Sequence, residues 1–176
     1  MARAARIDLR TFQQELATRL AAKTTAQVEQ SRLGLACAGQ QWLIRLADAG
    51  EVIAVPPLAT VPLTKPWYMG IANIRGNLYG VIDFAGFLGQ PLEATTSGAT
   101  QTRLVLFGPR VGELRAGLVV HRVLGLRNLA ELTANDPVEG APAWSGLRWT
   151  DRGGGVWQEI DLAKLAQDPG FLQVGL

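Results

Sequence analysis

The chain contains the same short pattern twice. Residues 70–88 read GIANIRGNLYGVIDFAGFL, and residues 146–165 read GLRWTDRGGGVWQEIDLAKL. Each copy consists of a strand pattern, a turn with Arg and Gly, a second strand pattern, and an Asp that precedes a short helical segment. Asp is a preferred residue at a helix N-cap. Unless the likeness of the two hairpins is a coincidence, the repeat predicts a two-lobed, mainly β protein whose two small barrels share a core.

Short β-rich runs separated by turn residues occupy most of the remaining chain. They are LGLACA, WLIRLA and EVIAV between residues 33 and 55, TRLVLFG at 102–108, LRAGLVVHRVLGL at 114–126, and residues 144–160. The stretch from Pro56 to Pro66 contains four prolines, which excludes a helix interior or a central strand and predicts an ordered connector. Polar loops are expected at 93–101 and 133–143, and a closing short helix at 161–167, capped by Asp161.

The first 30 residues differ in character from the rest. Leu9, Phe12, Leu16 and Leu20 follow helical spacing and form one narrow apolar stripe. We therefore predict an amphipathic N-terminal helix or extension over residues 1–30 and a main domain over residues 31–176. The first 32 residues hold six basic and three acidic side chains, whereas the remainder holds 11 and 12. A near-neutral body argues against a nucleic-acid-binding barrel, which requires a basic face.

Side chains that commonly carry catalysis are scarce. The chain has one Cys, one His and three Ser, which excludes an internal disulfide and a zinc site with two His ligands. Cys37 lies in an apolar run and is expected to be a buried, inert thiol, while His121 is expected on the exposed side of a strand. No run of about 18 apolar residues is present. We expect a cytoplasmic protein without cofactor, metal or enzymatic activity, although a ligand-binding or enzymatic β-barrel remains an alternative.

Arginine and tryptophan supply the candidate binding residues. Arg75 stands in a Gly-flanked turn between apolar strands, where an Arg commonly pairs with a carboxylate or with a partner. Most of the five Trp are expected in the core. Trp67, beside Tyr68, is either a core residue or an exposed binding anchor. The glycines at 153–155 lead into a strand pattern, which favours a hairpin turn over a phosphate-binding loop.

The segment PWYMGIANIRGNLYGVIDFAGFLG at 66–89 resembles the CheW-like domain, whose signature is a glycine, an Asn-x-Arg-Gly turn, a strand and an Asp before a short helix. RLVLFG and AGLVVHRVLGLRNL extend the resemblance, which covers about residues 33–170. The WQEIDL ending, the GLRNL run and the leading helix look most like the adaptors of type IV pilus chemosensory systems.

The resemblance implies two five-stranded SH3-like β-barrel lobes that share a hydrophobic core, with short capping helices. It also implies a non-enzymatic adaptor without cofactors. The implied partners are the cytoplasmic tip of a methyl-accepting chemoreceptor and the regulatory domain of a CheA-type histidine kinase. The protein would then lie at receptor arrays of the inner membrane, and its output would be twitching motility or, alternatively, flagellar chemotaxis.

By this likeness Asn73, Arg75 and Gly76 fall on the family's central turn, and Glu51 falls where the family often has a strand-borne Glu that can pair with this Arg. We predict that a partner binds in a groove between the lobes. The predicted partner-binding residues are Glu51, Ile53, Asn73, Ile74, Arg75, Gly76 and Val81. The chain departs from the family pattern at His121, where many members have an acidic residue, and in its long basic N-terminal helix.

Overall fold

The computed structural model describes residues 28–90 and 101–176, together with positions 14 and 18. Most of the predicted N-terminal helix and of the predicted loop at 93–101 therefore lies outside the described residues. Gln14, Thr18 and residues 28–30 have helical backbone. None of the helices in the described ranges is long and apolar enough to cross a membrane.

Apart from the helical residues 28–30, the described ranges contain strands, three short α-helices and two short 3-10 helices. The strands are β1 (Ser31–Cys37), β2 (Gln40–Arg45), β3 (Ala49–Ile53), β4 (Tyr68–Ile74), β5 (Asn77–Asp83), β6 (Arg103–Phe107), β7 (Ala116–Val120), β8 (Arg122–Asn128), β9 (Thr133–Asn135), β10 (Ser145–Thr150) and β11 (Val156–Ile160). The α-helices are α1 (Phe84–Phe87), α2 (Leu162–Leu165) and α3 (Pro169–Leu172), and the 3-10 helices are Pro109–Val111 and Leu129–Glu131.

The strands form two sheets, which confirms the mainly β, two-lobed fold. One sheet has the order β8-β1-β2-β11-β10-β9 and the other the order β3-β6-β7-β5-β4. We call the two halves the six-stranded lobe and the five-stranded lobe. We expected five strands in each lobe, and one lobe has that number. The other has six because residues 133–135, which we predicted as part of a loop, pair with β10 as strand β9.

The two sheets share one pairing scheme. In each, an antiparallel hairpin, β4–β5 or β10–β11, is joined through its second strand to a parallel neighbour, β7 or β2. Each hairpin is followed by a helix capped by an Asp, since Asp83 accepts from the Ala85 N–H and Asp161 accepts from the Lys164 N–H. The sequence repeat therefore corresponds to two equivalent structural units. The six-stranded sheet is a circular permutation of the other, because β1 and β2 take the places of β6 and β7.

The lobes meet along one hydrophobic core. Inward-facing side chains of both sheets contribute, and the helices close the ends. Its members include Leu33, Leu35, Trp42 and Ile44 from the six-stranded sheet, Ile82, Val105, Phe107, Leu118 and Val120 from the five-stranded sheet, and Phe84, Leu162, Leu165 and Phe171 from the helices. Strand β7 is buried along its whole length because one face meets this core and the other meets the interior of its own lobe.

The interiors of the two lobes differ in chemistry. Buried aliphatic side chains fill the five-stranded lobe, namely Ala72, Val81, Leu104, Leu106 and Val119. On the corresponding inner face of the six-stranded sheet, Arg32 forms a buried ion pair with Glu159 at 2.8 Å, beside Trp157. Gly34 leaves room for the Trp157 ring there, since a Cβ would lie only 3.0 Å from it.

The chain changes sheet at His121. Strand β7 belongs to the five-stranded sheet and β8 to the six-stranded sheet, and the His121 N–H between them donates to the Ala36 carbonyl at 3.1 Å. Within the described part of the chain, His121 Nε2 is buried without a hydrogen-bond partner. Our expectation that His121 lies on the exposed side of a strand was therefore wrong. Only His121 and Arg122 interrupt the strand-like run at 116–126, so the sequence pattern does not reveal the change of sheet.

Candidate functional site

The hairpin turn between β4 and β5 presents an arginine to solvent. Arg75 and Gly76 form a two-residue loop in which both φ angles are positive, at 52° and 84°, the geometry of a type I′ turn. Glycine adopts this conformation readily, whereas a residue with a Cβ is held there at a cost of about 1–2 kcal/mol. The side chain of Asn73 stabilises the turn by accepting the Gly76 N–H at 2.9 Å.

Arg75 is held by a carboxylate from the opposite edge of the same sheet. Its Nη1 lies 2.7 Å from Oε1 of Glu51 on β3, and the two side chains are 77% and 46% exposed. Because β3 and β4 are the two edge strands of the five-stranded sheet, the ion pair links the edges of the lobe. An ion pair this exposed contributes about 0–1 kcal/mol to stability. Its main effect is to fix the direction of the Arg75 guanidinium.

Apolar residues continue from this turn into the lobe. Ile53 and Ile74 are half-buried and pack against its aliphatic interior, whereas Leu78, opposite Asn73 in the hairpin, is 61% exposed. Val81 is fully buried in that interior. A partner at the surface therefore cannot contact Val81 directly, and our expectation that it lines a groove was wrong.

A separate cleft of about 520 Å³ lies between the two lobes. Strand β2 and the segment before β10 contribute Trp42 and Trp144, and α1 of the five-stranded lobe contributes Phe87. Polar side chains at the rim include Gln40, Gln158 and Asp168, and the loop before β10 contributes Ala141 and Pro142. We call this the interlobe cleft. Its aromatic floor and polar rim are the features of a protein-binding groove.

The predicted groove and the observed cleft are therefore different places. The predicted residues lie on β3, β4, β5 and the turn of one lobe, and none of them lines the interlobe cleft. The turn residues Asn73, Arg75 and Gly76 do come together with Glu51, as the resemblance implied. The cleft residues were missed because segments distant in sequence build them, and only the abundance of Trp hinted at such a surface.

Two other candidates behave as core residues. Trp67 is half-buried and packs edge-on against Phe87, with ring centroids 5.3 Å apart, so the core alternative is confirmed. Cys37 is 1% exposed. Burial, reinforced by the nearby Asp83 carboxylate, raises the pKa of the Cys37 thiol to about 12, which makes it a poor nucleophile at neutral pH.

The glycines at 153–155 lie in a hairpin turn, as predicted. Oδ1 of Asp151 accepts the N–H groups of Gly153 and Gly155 at 2.9 and 2.8 Å, and its Oδ2 accepts from Trp157 Nε1. These hydrogen bonds hold the pKa of Asp151 below its ordinary value, with the bond from Trp157 the largest cause. The backbone N–H groups that a phosphate would need are thus already occupied.

The fold agrees with that of known proteins. The CheW-like domain family matches residues 32–170 of the chain. The protein belongs to this family. PilI of Pseudomonas aeruginosa is 30% identical over 175 residues, which cover 97% of this chain and 94% of PilI. The crystal structure of the scaffolding protein TtCheW from Thermoanaerobacter tengcongensis superposes with a TM-score of 0.66 at 19% identity, over 81% of this chain and 95% of that one.

Membership of the CheW-like family confirms the resemblance drawn from the Asn-x-Arg-Gly segment. The match to the family begins at residue 32, one residue after the start of β1. The likeness to TtCheW concerns the fold, and the likeness to PilI extends over nearly the whole length of both chains. Two features of the described surface are therefore candidates for contact with partners in this CheW-like protein: the Arg75 turn at one end of the five-stranded lobe and the interlobe cleft.

Proposed function

We propose that this CheW-like protein is a non-enzymatic adaptor that couples a chemoreceptor to a CheA-type histidine kinase. Membership of the CheW-like family supports an adaptor of the chemotaxis type. The 30% identity to PilI over nearly the full length of both chains supports a role in type IV pilus signalling and twitching motility. The protein would then act in the cytoplasm, at receptor arrays on the inner membrane.

The observation that carries the proposal is the way in which Arg75 is held. The residue adopts a left-handed conformation, is 77% exposed and is fixed by Glu51 at 2.7 Å. An exposed ion pair contributes little to stability, whereas a strained, fixed residue is typical of binding sites. Since Arg is enriched among residues that dominate binding energy, we propose that Arg75 is an anchor for the kinase regulatory domain.

The interlobe cleft is the proposed receptor site. The cytoplasmic tip of a chemoreceptor is a helical hairpin, and a helix docks by placing its apolar face in an apolar groove. Trp42, Phe87 and Trp144 would contact that face, and the glutamines at the rim would bind its polar flanks. The cleft and the Arg75 turn share no residue, so an adaptor of this design can hold receptor and kinase at once.

Arg75→Ala tests the kinase site. We expect capture of a CheA-type regulatory domain to weaken about tenfold, which corresponds to about 1.4 kcal/mol of binding free energy. The free energy of unfolding should change by less than about 1 kcal/mol because the ion pair is exposed. Titration calorimetry with the kinase domain and urea denaturation measure the two quantities.

The charge-swapped pair Arg75→Glu with Glu51→Arg is the control. It keeps an ion pair between the edges of the lobe but moves the cation from the turn to β3. We expect the swap to bind the kinase domain as weakly as Arg75→Ala. Kinase binding at wild-type strength by Arg75→Ala would show that the turn is not the kinase site.

Ala141→Trp tests the receptor site. Ala141 is half-buried at the wall of the interlobe cleft, so an indole there fills the groove without removing a core side chain. Co-sedimentation with receptor-containing membranes should drop, while kinase capture should remain unchanged. Ala134→Trp, at an exposed position on β9, is the matched control. Equal receptor binding by the two variants would place the receptor elsewhere.

A further inference from the structure

The interlobe cleft continues into a second cleft on the six-stranded lobe. The second cleft has a volume of about 520 Å³. Gln40, Val138 and Gln158 line both clefts, so the two form one continuous groove. We call the second cleft the polar extension. Its other lining residues are Gly39, Gln41, Arg148, Gly155 and Val156.

The floor of this groove is the core-facing side of the six-stranded sheet. Trp42 on β2 pairs in register with Gln158 on β11, so their side chains lie on one face of the sheet. Gln40 and Val156 each precede one of these residues by two positions and therefore lie on the same face. The face that buries Trp42 in the shared core thus continues as the floor of the polar extension, where Gln40 and Val156 are exposed.

The chemistry of the groove changes along its length. The interlobe cleft has an aromatic floor of Trp42, Phe87 and Trp144, whereas none of the described residues that line the polar extension is aromatic. Its large apolar side chains are Val138 and Val156, which are 44% and 47% exposed. The other side chains are glutamines and one arginine. A partner that fills the whole groove therefore needs an apolar portion followed by a polar one.

Arg148 gives the polar extension its charge. It pairs in register with Gln158 across β10 and β11, so its side chain lies on the face that forms the groove floor. The residue is exposed, and no ion pair in the described part of the chain includes it. An exposed guanidinium offers several N–H donors in a planar arrangement that matches a carboxylate.

The carboxylates near the groove leave this charge available. Asp136 and Glu139 belong to the loop that contains Val138, but they line neither cleft. Asp168 lines the interlobe cleft only, and its Oδ1 accepts the Phe171 N–H as the N-cap of α3. The acidic partner of Arg148 is therefore expected to come from the molecule that occupies the groove.

We propose that Arg148 binds an acidic side chain of the chemoreceptor helix whose apolar face lies in the interlobe cleft. This inference rests on the proposed receptor site and names the chemistry of its occupant. The carboxylate should follow the apolar stripe of the receptor helix at a spacing of three, four or seven residues, because such positions share one helix face. A receptor with a basic residue at that position would be rejected by like-charge repulsion, so Arg148 contributes to the choice of receptor.

Co-sedimentation with receptor-containing membranes tests the proposal. Arg148→Gln should weaken receptor binding about threefold, and Arg148→Glu about tenfold, because reversal replaces attraction with repulsion. Sodium chloride should weaken the binding of the wild type more than that of Arg148→Gln. Kinase capture and the urea midpoint should stay unchanged, since Arg148 is exposed and lies on the other lobe from the Arg75 turn.

Receptor variants identify the acidic partner. Each Asp and Glu of the receptor tip is replaced in turn by Lys, and one of these receptors should bind Arg148→Glu more tightly than it binds the wild type. Arg122→Glu is the matched control, because it makes the same change of net charge at an exposed position of the six-stranded lobe that lines neither cleft. It should bind the receptor as the wild type does.

Ala141→Trp separates this proposal from the receptor site on which it rests. Loss of receptor binding in Ala141→Trp but wild-type binding by Arg148→Glu would keep the receptor site and overturn the role of Arg148. Wild-type binding by both variants would overturn the receptor site itself. Equal weakening by Arg122→Glu, or failure of every receptor variant to restore binding to Arg148→Glu, would also overturn the assignment of an acidic partner to Arg148.

Discussion

At the scale of single residues, burial separates three ion pairs of nearly equal length. Arg32–Glu159, Arg75–Glu51 and Arg110–Glu29 all join guanidinium and carboxylate at 2.7 or 2.8 Å. Only the first is buried, and there the loss of one partner would leave an uncompensated charge, at a cost of about 3–5 kcal/mol. The two exposed pairs contribute little to stability and instead fix the direction of a side chain or the position of a segment.

Cys37 supplies a pH dependence whose sign follows from its burial. The pKa of its thiol is raised from 9.0 to about 12 in the folded protein, so above pH 9 the unfolded chain ionises first. The contribution of Cys37 to stability is fully present below pH 9 and is lost as the pH rises from 9 towards 12, by up to about 1.4 kcal/mol per pH unit. Urea denaturation of the wild type and of Cys37→Ala at pH 8 and 10.5 measures it.

Tyrosines and lysines titrate in the same pH range, and both proteins contain them. Subtracting the stability loss of Cys37→Ala from that of the wild type therefore isolates the contribution of the thiol. We expect the wild type to lose more stability than Cys37→Ala between the two pH values. Identical losses would mean that the Cys37 thiolate is tolerated in the fold. Native Cys37 should also resist alkylation at pH 8 and react fully in urea.

At the scale of elements, the two Asp-capped helices that follow the repeated hairpins provide a matched pair. Asp83 caps α1 from a buried position and Asp161 caps α2 from a partly exposed one. Substitution of either by Ala should lower the free energy of unfolding by about 1 kcal/mol, because one backbone N–H of the first turn loses its acceptor. Urea denaturation measures the loss at each site.

Asn retains a side-chain oxygen that can accept the same bond, so Asp83→Asn and Asp161→Asn should each be milder than the Ala substitution. If Asn were as harmful as Ala at both sites, the negative charge rather than the cap would be the stabilising feature. If only Asp161 behaved as a cap, the two copies of the repeat would not be energetically equivalent.

Elements whose signals are local could be predicted from the sequence. The Arg75–Gly76 turn, the turn at 153–155 and the caps at Asp83 and Asp161 are each specified by a few adjacent residues. Helix α3 carried such a signal as well, since Asp168 and Pro169 form the usual N-cap and first helical position, yet the predicted closing helix ended at residue 167.

Pairings between distant segments could not be predicted. β2 pairs in parallel with β11 more than a hundred residues later, and β7 and β8 separate into different sheets at His121 within one strand-like run. The candidate site also has one part that could be predicted and one part that could not. The contact between Glu51 and Arg75 was accessible through the family resemblance, whereas the interlobe cleft results from long-range packing that no local pattern records.

At the scale of the whole molecule, the shared core should make the two lobes fold as one unit. The five-stranded sheet is contiguous in sequence, from Ala49 to Val120. The face of this sheet that points away from the lobe's own interior nevertheless carries Ile82, Val105, Phe107, Leu118 and Val120, which belong to the core shared with the other lobe. Each such side chain contributes about 1.5–3 kcal/mol when buried, so their exposure would remove about as much free energy as a domain has in total.

We therefore expect a fragment of residues 49–120 to lack a dispersed amide NMR spectrum, although it contains every strand of its sheet. In the full-length protein, hydrogen exchange of peptides from β2 and from β7 should show the same urea midpoint, because neither lobe can open without exposing the core of the other. Two separate midpoints, or a well-dispersed spectrum from the fragment, would contradict this. The circular permutation of the sheets makes this coupling obligatory. Strands β1 and β2 of the six-stranded lobe precede the five-stranded sheet in the chain, and β8 to β11 follow it, so the six-stranded lobe cannot be completed without both ends of the chain.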